Sequence, residues 1–296
     1  MPSPTTCKFT LRGHRGVVNC VAISGDGKLV GTGSRDTRIR LWNPADGKLT
    51  RTLEGSKGQI LGLGLNSTGS IAISGDHLNA VMFWDTASGK ESKKPSAGTG
   101  HAGSVNAISF ARDDSFAVSV ADDRKVIRWD PVKVRQREVM NKHEAPVLAL
   151  AIAPDGKRCV SAGTDSTARV WSLESFEQQQ IIKAHPQTVL CAGWSPTQPL
   201  VATGGNEPTV RLWNPDTGAM VAEFDSKTES TFALTFSPDG KLLATGGTDN
   251  TIAIWDVETC AEVTRLKGHT NQVVSLAWGP GFLLSGAKDE TARIWV

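Results

Sequence analysis

Seven tryptophans recur along this chain at almost constant spacing, and this spacing constrains the fold more than any other feature. The successive gaps are 42, 45, 42, 42, 42 and 40 residues, between Trp42, Trp84, Trp129, Trp171, Trp213, Trp255 and Trp295. Such a period indicates small units that cannot bury their apolar faces alone and must stack on their neighbours. Seven units use up the 296 residues, so we expect a single domain over 1–296.

The repeat that begins at His143 shows what one unit contains. Its alternating apolar positions predict an inner strand over 146–153, and further strands over 158–162, 168–171 and 176–182. Pro154 to Lys157 reads as the first turn. Four strands per unit, with Gly-His near the start and Trp near the end, predict an all-β, seven-bladed β-propeller with four-stranded antiparallel blades.

The predicted blades divide the chain at each repeat. They span 12–53, 54–98, 99–139, 140–181, 182–223, 224–265 and 266–296, the last completed by residues 5–11. The seventh repeat ends in its third strand, so its outer strand must come from elsewhere. Cys7 to Leu11 alternates and directly precedes Gly13-His14. Pairing of this N-terminal strand with the last blade would close the ring and cover an exposed sheet edge.

Three further side-chain types keep a fixed register with the tryptophans: a hydroxyl ten residues before each Trp, usually an Asp six before, and often a His 26 or 28 before. This pattern resembles the WD-repeat (WD40) β-propeller family, whose blades often contain an Asp-His-Ser/Thr-Trp hydrogen-bond chain. The resemblance implies four complete structural networks here: His14, Thr32, Asp36, Trp42; His101, Ser119, Asp123, Trp129; His143, Ser161, Asp165, Trp171; and His269, Ser285, Asp289, Trp295.

Three repeats depart from that pattern. Ser56 and Leu78 stand where the second repeat should have His and Asp, Lys227 replaces His in the sixth, and Glu207 replaces Asp in the fifth. We therefore expect the second and sixth blades to be held less firmly. Four arginines lie two residues before a Trp, and we expect their guanidinium groups to stay in water or on an aromatic ring: Arg40, Arg169, Arg211 and Arg293.

Asp, His and Ser are also the groups of a hydrolase triad, so a catalytic role has to be weighed. The set occurs four times in one chain and ends each time on a bulky indole, which favours structural hydrogen bonds between packed strands. The five cysteines have no CxxC spacing and are expected to be free thiols. We expect no cofactor, no metal site and no enzymatic activity; an enzyme ranks as the third alternative.

Charge narrows the class of partner. The sequence has 32 Lys and Arg against 30 Asp and Glu, which makes nucleic acid an unlikely default partner. The sequence has no signal-peptide-like start and no apolar run long enough to span a membrane. We expect a cytoplasmic scaffold or adaptor, monomeric on its own, that binds proteins or peptide segments; nuclear, cytoskeletal or ciliary association stays open. The alternative is an RNA- or nucleoprotein-associated subunit of a ribonucleoprotein complex.

The resemblance also implies a docking face. Partners of WD-repeat proteins commonly bind the narrow top face, at positions three and five after the blade His and one before the turn Asp. In this sequence the candidate partner-binding residues are Asn19, Arg35, Leu61, His77, Asp122, Pro146, Leu148, Leu190, Phe232, Gln272 and Lys288. The alternative is that the apolar members of this set only fill the central channel.

A second candidate surface is the alternating stretch from Val132 to Arg137. The alternation predicts an outermost strand that points Lys133, Arg135 and Arg137 outward. Such a basic rim would suit an acidic protein or RNA. The alternative is an edge strand whose charges only protect it from aggregation.

Overall fold

The computed structural model describes residues 3–92, 95 and 99–296 of the chain. Within this part, 27 strands form seven antiparallel sheets arranged as the blades of a propeller. The first strand of each blade packs against the first strand of the next, and the seventh returns to the first. The predicted seven-bladed, all-β propeller is therefore confirmed.

The strands are numbered in chain order. β1 (Cys7–Leu11) precedes blade 1, which contains β2 (Val18–Ile23), β3 (Val30–Ser34), β4 (Ile39–Trp42) and β5 (Leu49–Leu53). Blade 2 contains β6 (Ile60–Leu65), β7 (Ile71–Asp76) and β8 (Val81–Asp85). Blade 3 contains β9 (Val105–Phe110), β10 (Ala117–Ala121), β11 (Val126–Asp130) and β12 (Arg135–Met140). Blade 4 contains β13 (Val147–Ile152), β14 (Arg158–Gly163), β15 (Thr167–Ser172) and β16 (Gln178–Lys183).

Blade 5 contains β17 (Val189–Trp194), β18 (Val201–Gly205), β19 (Glu207–Trp213) and β20 (Met220–Asp225). Blade 6 contains β21 (Thr231–Phe236), β22 (Leu242–Gly247), β23 (Ile252–Asp256) and β24 (Glu262–Leu266). Blade 7 contains β25 (Val273–Gly279), β26 (Phe282–Ala287) and β27 (Ala292–Trp295). In blade 2 a bridge between Trp84 and Glu91 marks the start of an outer segment; residues 93, 94 and 96–98 of the predicted fourth strand lie outside the described residues.

The N-terminal strand completes the last blade. β1 pairs antiparallel with β27, with Cys7 opposite Trp295 and Leu11 opposite Ala292. The backbone N–H of Val296 continues the ladder by donating to the carbonyl of Thr6 at 2.9 Å. Because β1 leads directly into blade 1, this pairing joins the two ends of the ring and confirms the predicted closure.

The apolar core lies between the blades rather than inside any one of them. At the closure, Leu11, Val18 and Trp42 pack against Leu284 and Ile294 of blade 7. The same arrangement recurs at the other junctions, each time around one of the recurrent tryptophans, which are at most 7% exposed. Each blade therefore depends on its neighbours for burial, as expected for a repeat array.

Candidate functional site

The ring has two faces that differ in composition. We call the face at which the inner strands begin the top face; it carries the loops with the blade histidines and the turns between second and third strands. The opposite face, at which the inner strands end, is the bottom face. His14 precedes β2 and Asp36 lies in the turn after β3, and their side chains meet at 2.9 Å. The recurrent polar residues thus connect the loops of the top face.

Blade 4 shows the complete network. His143 Nδ1 lies 2.8 Å from Asp165 Oδ2, and its Nε2 lies 2.7 Å from Ser161 Oγ. The Trp171 indole N–H donates to Ser161 Oγ at 2.7 Å. A carboxylate can only accept, so Nδ1 carries the proton and donates to Asp165, and the Ser161 hydroxyl donates to Nε2. Every polar atom of this buried chain has a partner.

The other predicted networks have the same geometry. In blades 1, 3 and 7 the imidazole Nε2 lies 2.7 Å from the hydroxyl of Thr32, Ser119 and Ser285, respectively. The carboxylates of Asp36, Asp123 and Asp289 meet Nδ1 at 2.8–2.9 Å. The indole nitrogens of Trp42, Trp129 and Trp295 donate to the hydroxyls at 3.0, 2.7 and 2.8 Å. Blade 5 adds a fifth network, with Glu207 Oε1 2.5 Å from His185 Nδ1.

In blades 1 and 3 the surroundings keep the network carboxylate ionised, and in blade 1 they keep the imidazole neutral. Burial alone would raise the pKa of Asp123, but hydrogen bonds from His101 and the Ala102 backbone N–H outweigh it and lower the pKa to about 2. Asp36 shows the same balance and also a pKa of about 2. Burial lowers the pKa of His14 despite the opposing effect of Asp36. His14 is therefore neutral at pH 7 and acts as a hydrogen-bonding connector.

The networks are sealed from solvent. The side chains of His101, His143 and His185 are 0% exposed, and those of His14 and His269 are 1% exposed. A general base must reach the proton that it abstracts, and an imidazole packed beneath a loop and beside an indole offers no such access. Among residues 3–92, 95 and 99–296, no group of three or more His, Cys, Asp or Glu side chains could hold a metal ion.

Two arginines lie deeper than the sequence suggested. Arg40 is 8% and Arg169 is 6% exposed. Arg40 donates to Asp36 Oδ2 at 2.9 Å, and the Arg169 guanidinium lies 3.6 Å from Asp165 Oδ2. The expectation that these guanidinium groups stay in water or on an aromatic ring was wrong for both, because the network carboxylate lies within reach of the third strand and attracts them.

Blade 2 replaces the missing His and Asp with its own contacts. Leu78, at the expected Asp position, is exposed, whereas Asp76 is 2% exposed and accepts from Ser56 Oγ at 2.8 Å. Asp76 also accepts from the backbone N–H groups of Leu78 and Ala80. The carboxylate thus moves two residues towards the strand and still fastens the loop. The sequence contained one indication of this substitute contact, namely an acidic residue, Asp76, two residues before Leu78.

Blade 6 also has a substitute. Thr228, next to Lys227, shares a 2.8 Å hydrogen bond with Thr248 and accepts from the backbone N–H of Asp249. Arg265 binds the Asp249 carboxylate at 2.7 Å from the outer strand. Lys227 itself turns outward and pairs with Glu262 at 2.9 Å. The loop of blade 6 is therefore fastened by a hydroxyl pair and an arginine rather than by an imidazole.

All eleven candidate top-face residues are exposed or half-buried, and they fall into two groups. Asn19, Leu61, Leu148, Leu190 and Phe232 point into the central channel, where they line a cavity of about 230 Å³ together with residues from all seven inner strands. Arg35, His77, Asp122 and Lys288 lie in the surrounding turns and are exposed; Pro146 and Gln272 lie between the two groups and are half-buried. The top face thus has an apolar centre and a charged perimeter.

Several contacts hold this perimeter in place. Lys288 Nζ lies 5.5 Å from the centre of the Phe232 ring, so the two groups meet across the junction of blades 6 and 7. Arg35 Nε donates to Gln59 Oε1 at 3.1 Å, and the Gln59 backbone N–H donates to His77 Nδ1 at 2.7 Å. His77 is therefore fixed by its neighbour rather than free in solvent.

The basic rim differs in part from the prediction. β12 begins at Arg135, so Lys133 lies in the turn before it rather than in the strand. Val134 adopts a φ of +50° and is buried, which ends the predicted alternation. Lys133, Arg135 and Arg137 are all exposed, and Arg137 pairs with Asp130 at 3.0 Å.

Comparison with known proteins agrees with this architecture. A protein-family model described as the IFT122 first beta-propeller matches residues 104–296, and one described as WD domain, G-beta repeat matches residues 5–43. The first match covers well over half of the chain. The chain belongs to this family of WD-repeat β-propellers. Such propellers generally mediate protein–protein interactions and are typically non-catalytic.

Individual relatives match over a shorter stretch. The chain is 52% identical over 46 residues to proteins named small ribosomal subunit protein RACK1, from Glycine max and from Medicago sativa. This stretch is 15% of the chain, and it spans 14% of the length of each of these relatives. Nowhere in the described part of the chain is there a helix with the length and apolar character needed to cross a membrane.

Proposed function

We propose that this propeller is a non-catalytic scaffold that binds a peptide segment of a partner protein on its top face. The observation that carries the proposal is the apolar channel mouth surrounded by charged turns, because interfaces commonly combine an apolar centre with a polar rim. Phe232, Leu148 and Leu190 supply the apolar centre, and Lys288 and Arg35 supply positive charge beside it. A peptide with a hydrophobic anchor and an acidic end would suit both features.

The lysines of the chain allow the docking face to be located directly. Lys57 and Lys288 lie in loops of the top face, whereas Lys28, Lys157 and Lys241 lie in turns of the bottom face. Crosslinking mass spectrometry on the native complex is expected to connect a partner peptide with the first pair. Partner crosslinks confined to the three bottom-face lysines would contradict top-face docking.

A paired substitution then tests the apolar centre. Phe232→Ala with Leu148→Ala is expected to weaken binding of the crosslinked partner by at least about tenfold, since interface energy concentrates in a few central side chains. The matched control is Leu49→Ala with Met220→Ala, which removes two apolar side chains that are 48% and 51% exposed on outer strands. Full binding by the first variant would show that these side chains only fill the channel.

A second candidate function is association with a ribonucleoprotein. The short similarity to proteins named as small ribosomal subunit components favours it, as do the exposed Lys133 and Arg135. Phosphate contacts would make binding fall steeply as salt rises. Lys133→Glu with Arg135→Glu should then abolish binding to structured RNA; unchanged binding would leave these charges the role of protecting an edge strand.

A further inference from the structure

The bottom end of the central channel opens into a wide funnel whose lining side chains are mostly apolar. A cavity of about 540 Å³ is lined there by Ile152, Trp194, Phe236 and Trp278, near the ends of four inner strands. Pro154, Pro196 and Pro238, in the turns that follow three of these strands, extend the lining outward. We call this cavity the bottom funnel. Because proline lacks a backbone N–H, these turns offer rigid side-chain walls rather than a strand edge to pair with.

Two of the nine tryptophans in the chain are additional to the seven recurrent ones, and both line the bottom funnel. Trp194 is 9% exposed and stacks beneath Arg158, whose guanidinium carbon lies 5.1 Å from the ring centre. Trp278 is half-buried and faces the channel. Aromatic side chains placed at an opening bury much apolar area in a ligand at a low cost in conformational entropy.

A single positive charge marks this apolar surface. A second cavity, of about 320 Å³, adjoins the bottom funnel and shares Ile23, Ser109 and Arg112 with it. Among the described residues that line the two cavities, Arg112 alone carries a charged side chain. It is exposed, and it forms no ion pair with any described residue.

The acidic residues closest to Arg112 in sequence form hydrogen bonds with other groups. The Asp113 carboxylate accepts from the Ser115 hydroxyl at 2.6 Å, and the Asp114 carboxylate accepts from the Ser67 hydroxyl and backbone N–H. Arg112 therefore presents an uncompensated guanidinium at the edge of an apolar funnel. Such a group matches a carboxylate on an incoming ligand, with which it can form two parallel hydrogen bonds.

The turns around the bottom funnel are packed unequally. The bottom turns of blades 1, 2 and 3 are joined, because the Asp26 N–H donates to the Ser67 carbonyl and Ser67 in turn binds Asp114. Blade 7 closes on blade 1 so tightly that a Cβ on Gly27 would lie 2.4 Å from Pro280. By contrast, a Cβ on Gly156 in blade 4 would meet no atom within 4 Å. Gly281 in blade 7 is equally open, but the space beside Gly156 is the one next to blade 3, which carries Arg112.

We propose that the bottom funnel binds a short peptide segment of another protein, which inserts an aromatic or long aliphatic side chain beside Trp278 and places a carboxylate against Arg112. This site is separate from the top face proposed above, so the propeller can hold two segments at once, one on each face. The two cavities share Leu150, Ala192, Leu234 and Leu276 of the inner strands. None of the residues substituted to test either site is shared, so each site can be tested with the other left intact.

Selection from a random peptide library displayed on phage, with the full chain as bait, tests this site. Selected peptides are then synthesised with a fluorescent label, and their affinities are measured by anisotropy. We expect the selected peptides to contain Asp or Glu close in sequence, on either side, to Trp, Phe or Leu. Their binding should weaken by at least about tenfold with Arg112→Glu, since charge reversal turns an attractive contact into a repulsive one. Arg35→Glu on the top face, the matched control, should leave it unchanged.

Two further measurements make the outcome decisive. Selection on the Arg112→Glu variant should enrich Lys or Arg at the position of the acidic residue. Trp278→Ala should weaken binding similarly. Arg112 lies in an exposed turn, so Arg112→Glu is expected to retain the fold and still tests the site if Trp278→Ala does not fold. Failure to select any acidic–apolar peptide would contradict this proposal and would also count against top-face docking. Selected peptides that lose affinity with Arg35→Glu and keep it with Arg112→Glu would overturn this proposal alone and leave top-face docking intact.

Discussion

Replacing Ser161 by alanine is a direct test of the buried hydrogen-bond chain. Ser161 Oγ accepts from the Trp171 indole at 2.7 Å and donates to His143 Nε2 at 2.7 Å, and the serine is 0% exposed. The substitution leaves two buried polar groups without a partner, each at a cost of about 1–3 kcal/mol. We expect the free energy of unfolding to fall by about 2–6 kcal/mol, a large part of the about 5–15 kcal/mol typical of a folded domain.

Blade 2 provides a matched control in the same chain. Ser74 is 1% exposed and accepts from the Trp84 indole at 2.8 Å, but blade 2 has no imidazole above it. Ser74→Ala therefore leaves one buried group without a partner and should cost about 1–3 kcal/mol. Ser161→Ala should therefore lower the free energy of unfolding more than Ser74→Ala does. The difference comes from the number of groups left unpaired, because the side chain removed is the same in both.

Urea denaturation measured by far-ultraviolet circular dichroism gives both values. The midpoints should fall while the slope of the free energy with urea stays constant, because the surface exposed on unfolding is unchanged. Adding Trp171→Phe to Ser161→Ala removes one of the unpaired groups, so the double variant should be less destabilised than the sum of its single variants. Equal costs for Ser161→Ala and Ser74→Ala, or costs of both below about 0.5 kcal/mol, would refute the interpretation of the network as a source of stability.

The ring closure and the network carboxylates lead to two further predictions. Deletion of residues 1–11 removes the partner strand of β27 and the Leu11 side chain, which is 2% exposed. Differential scanning calorimetry should show a melting temperature at least about 10 °C lower, since each kcal/mol of lost stability lowers it by about 2–4 °C. An unchanged melting temperature would contradict closure by this strand. The pKa of Asp123 is about 2 in the folded chain and about 3.9 when unfolded. Its stabilising contribution is therefore present above pH about 4 and lost as the pH falls towards 2. Asp123→Asn should flatten the acid decline of the urea midpoints; a decline as steep as that of the unchanged protein would count against this.

The number of blades and their order could be read from the sequence. Trp42 and its six counterparts recur because each blade needs one large apolar side chain at the same junction, and a local period survives in the linear order of residues. The Ser161 and His143 positions could be found for the same reason, since their spacing to Trp171 repeats. The N-terminal closure was predictable because Cys7 to Leu11 alternates like an outer strand and the last repeat lacks one.

Contacts that break the period could not be found in this way. Asp76 takes the role expected at Leu78, two residues away, because the chain can shift a carboxylate along a turn without changing the blade. Arg40 is buried because the Asp36 carboxylate lies within hydrogen-bonding reach across the turn. This depends on the distance between the two side chains in space, which their spacing in the sequence does not give. The strand break at Lys133 depends on the positive φ of Val134, which apolar alternation does not reveal.

The sequence by itself determined the sevenfold β-propeller, the inter-blade position of its core and the polar groups that fasten the loops of five blades, since each of these features recurs at a fixed register. The tertiary structure alone decided which side chains from different blades meet around one opening. Trp194 and Trp278 lie 84 residues apart, which is two repeats, at the same position of blades 5 and 7, and Arg112 occupies in blade 3 the position that Pro196 holds in blade 5. Only closure of the ring brings these side chains from three blades to one opening. Surfaces that could bind a partner are built where the residue type changes from blade to blade, because a residue that is the same in every repeat serves the scaffold.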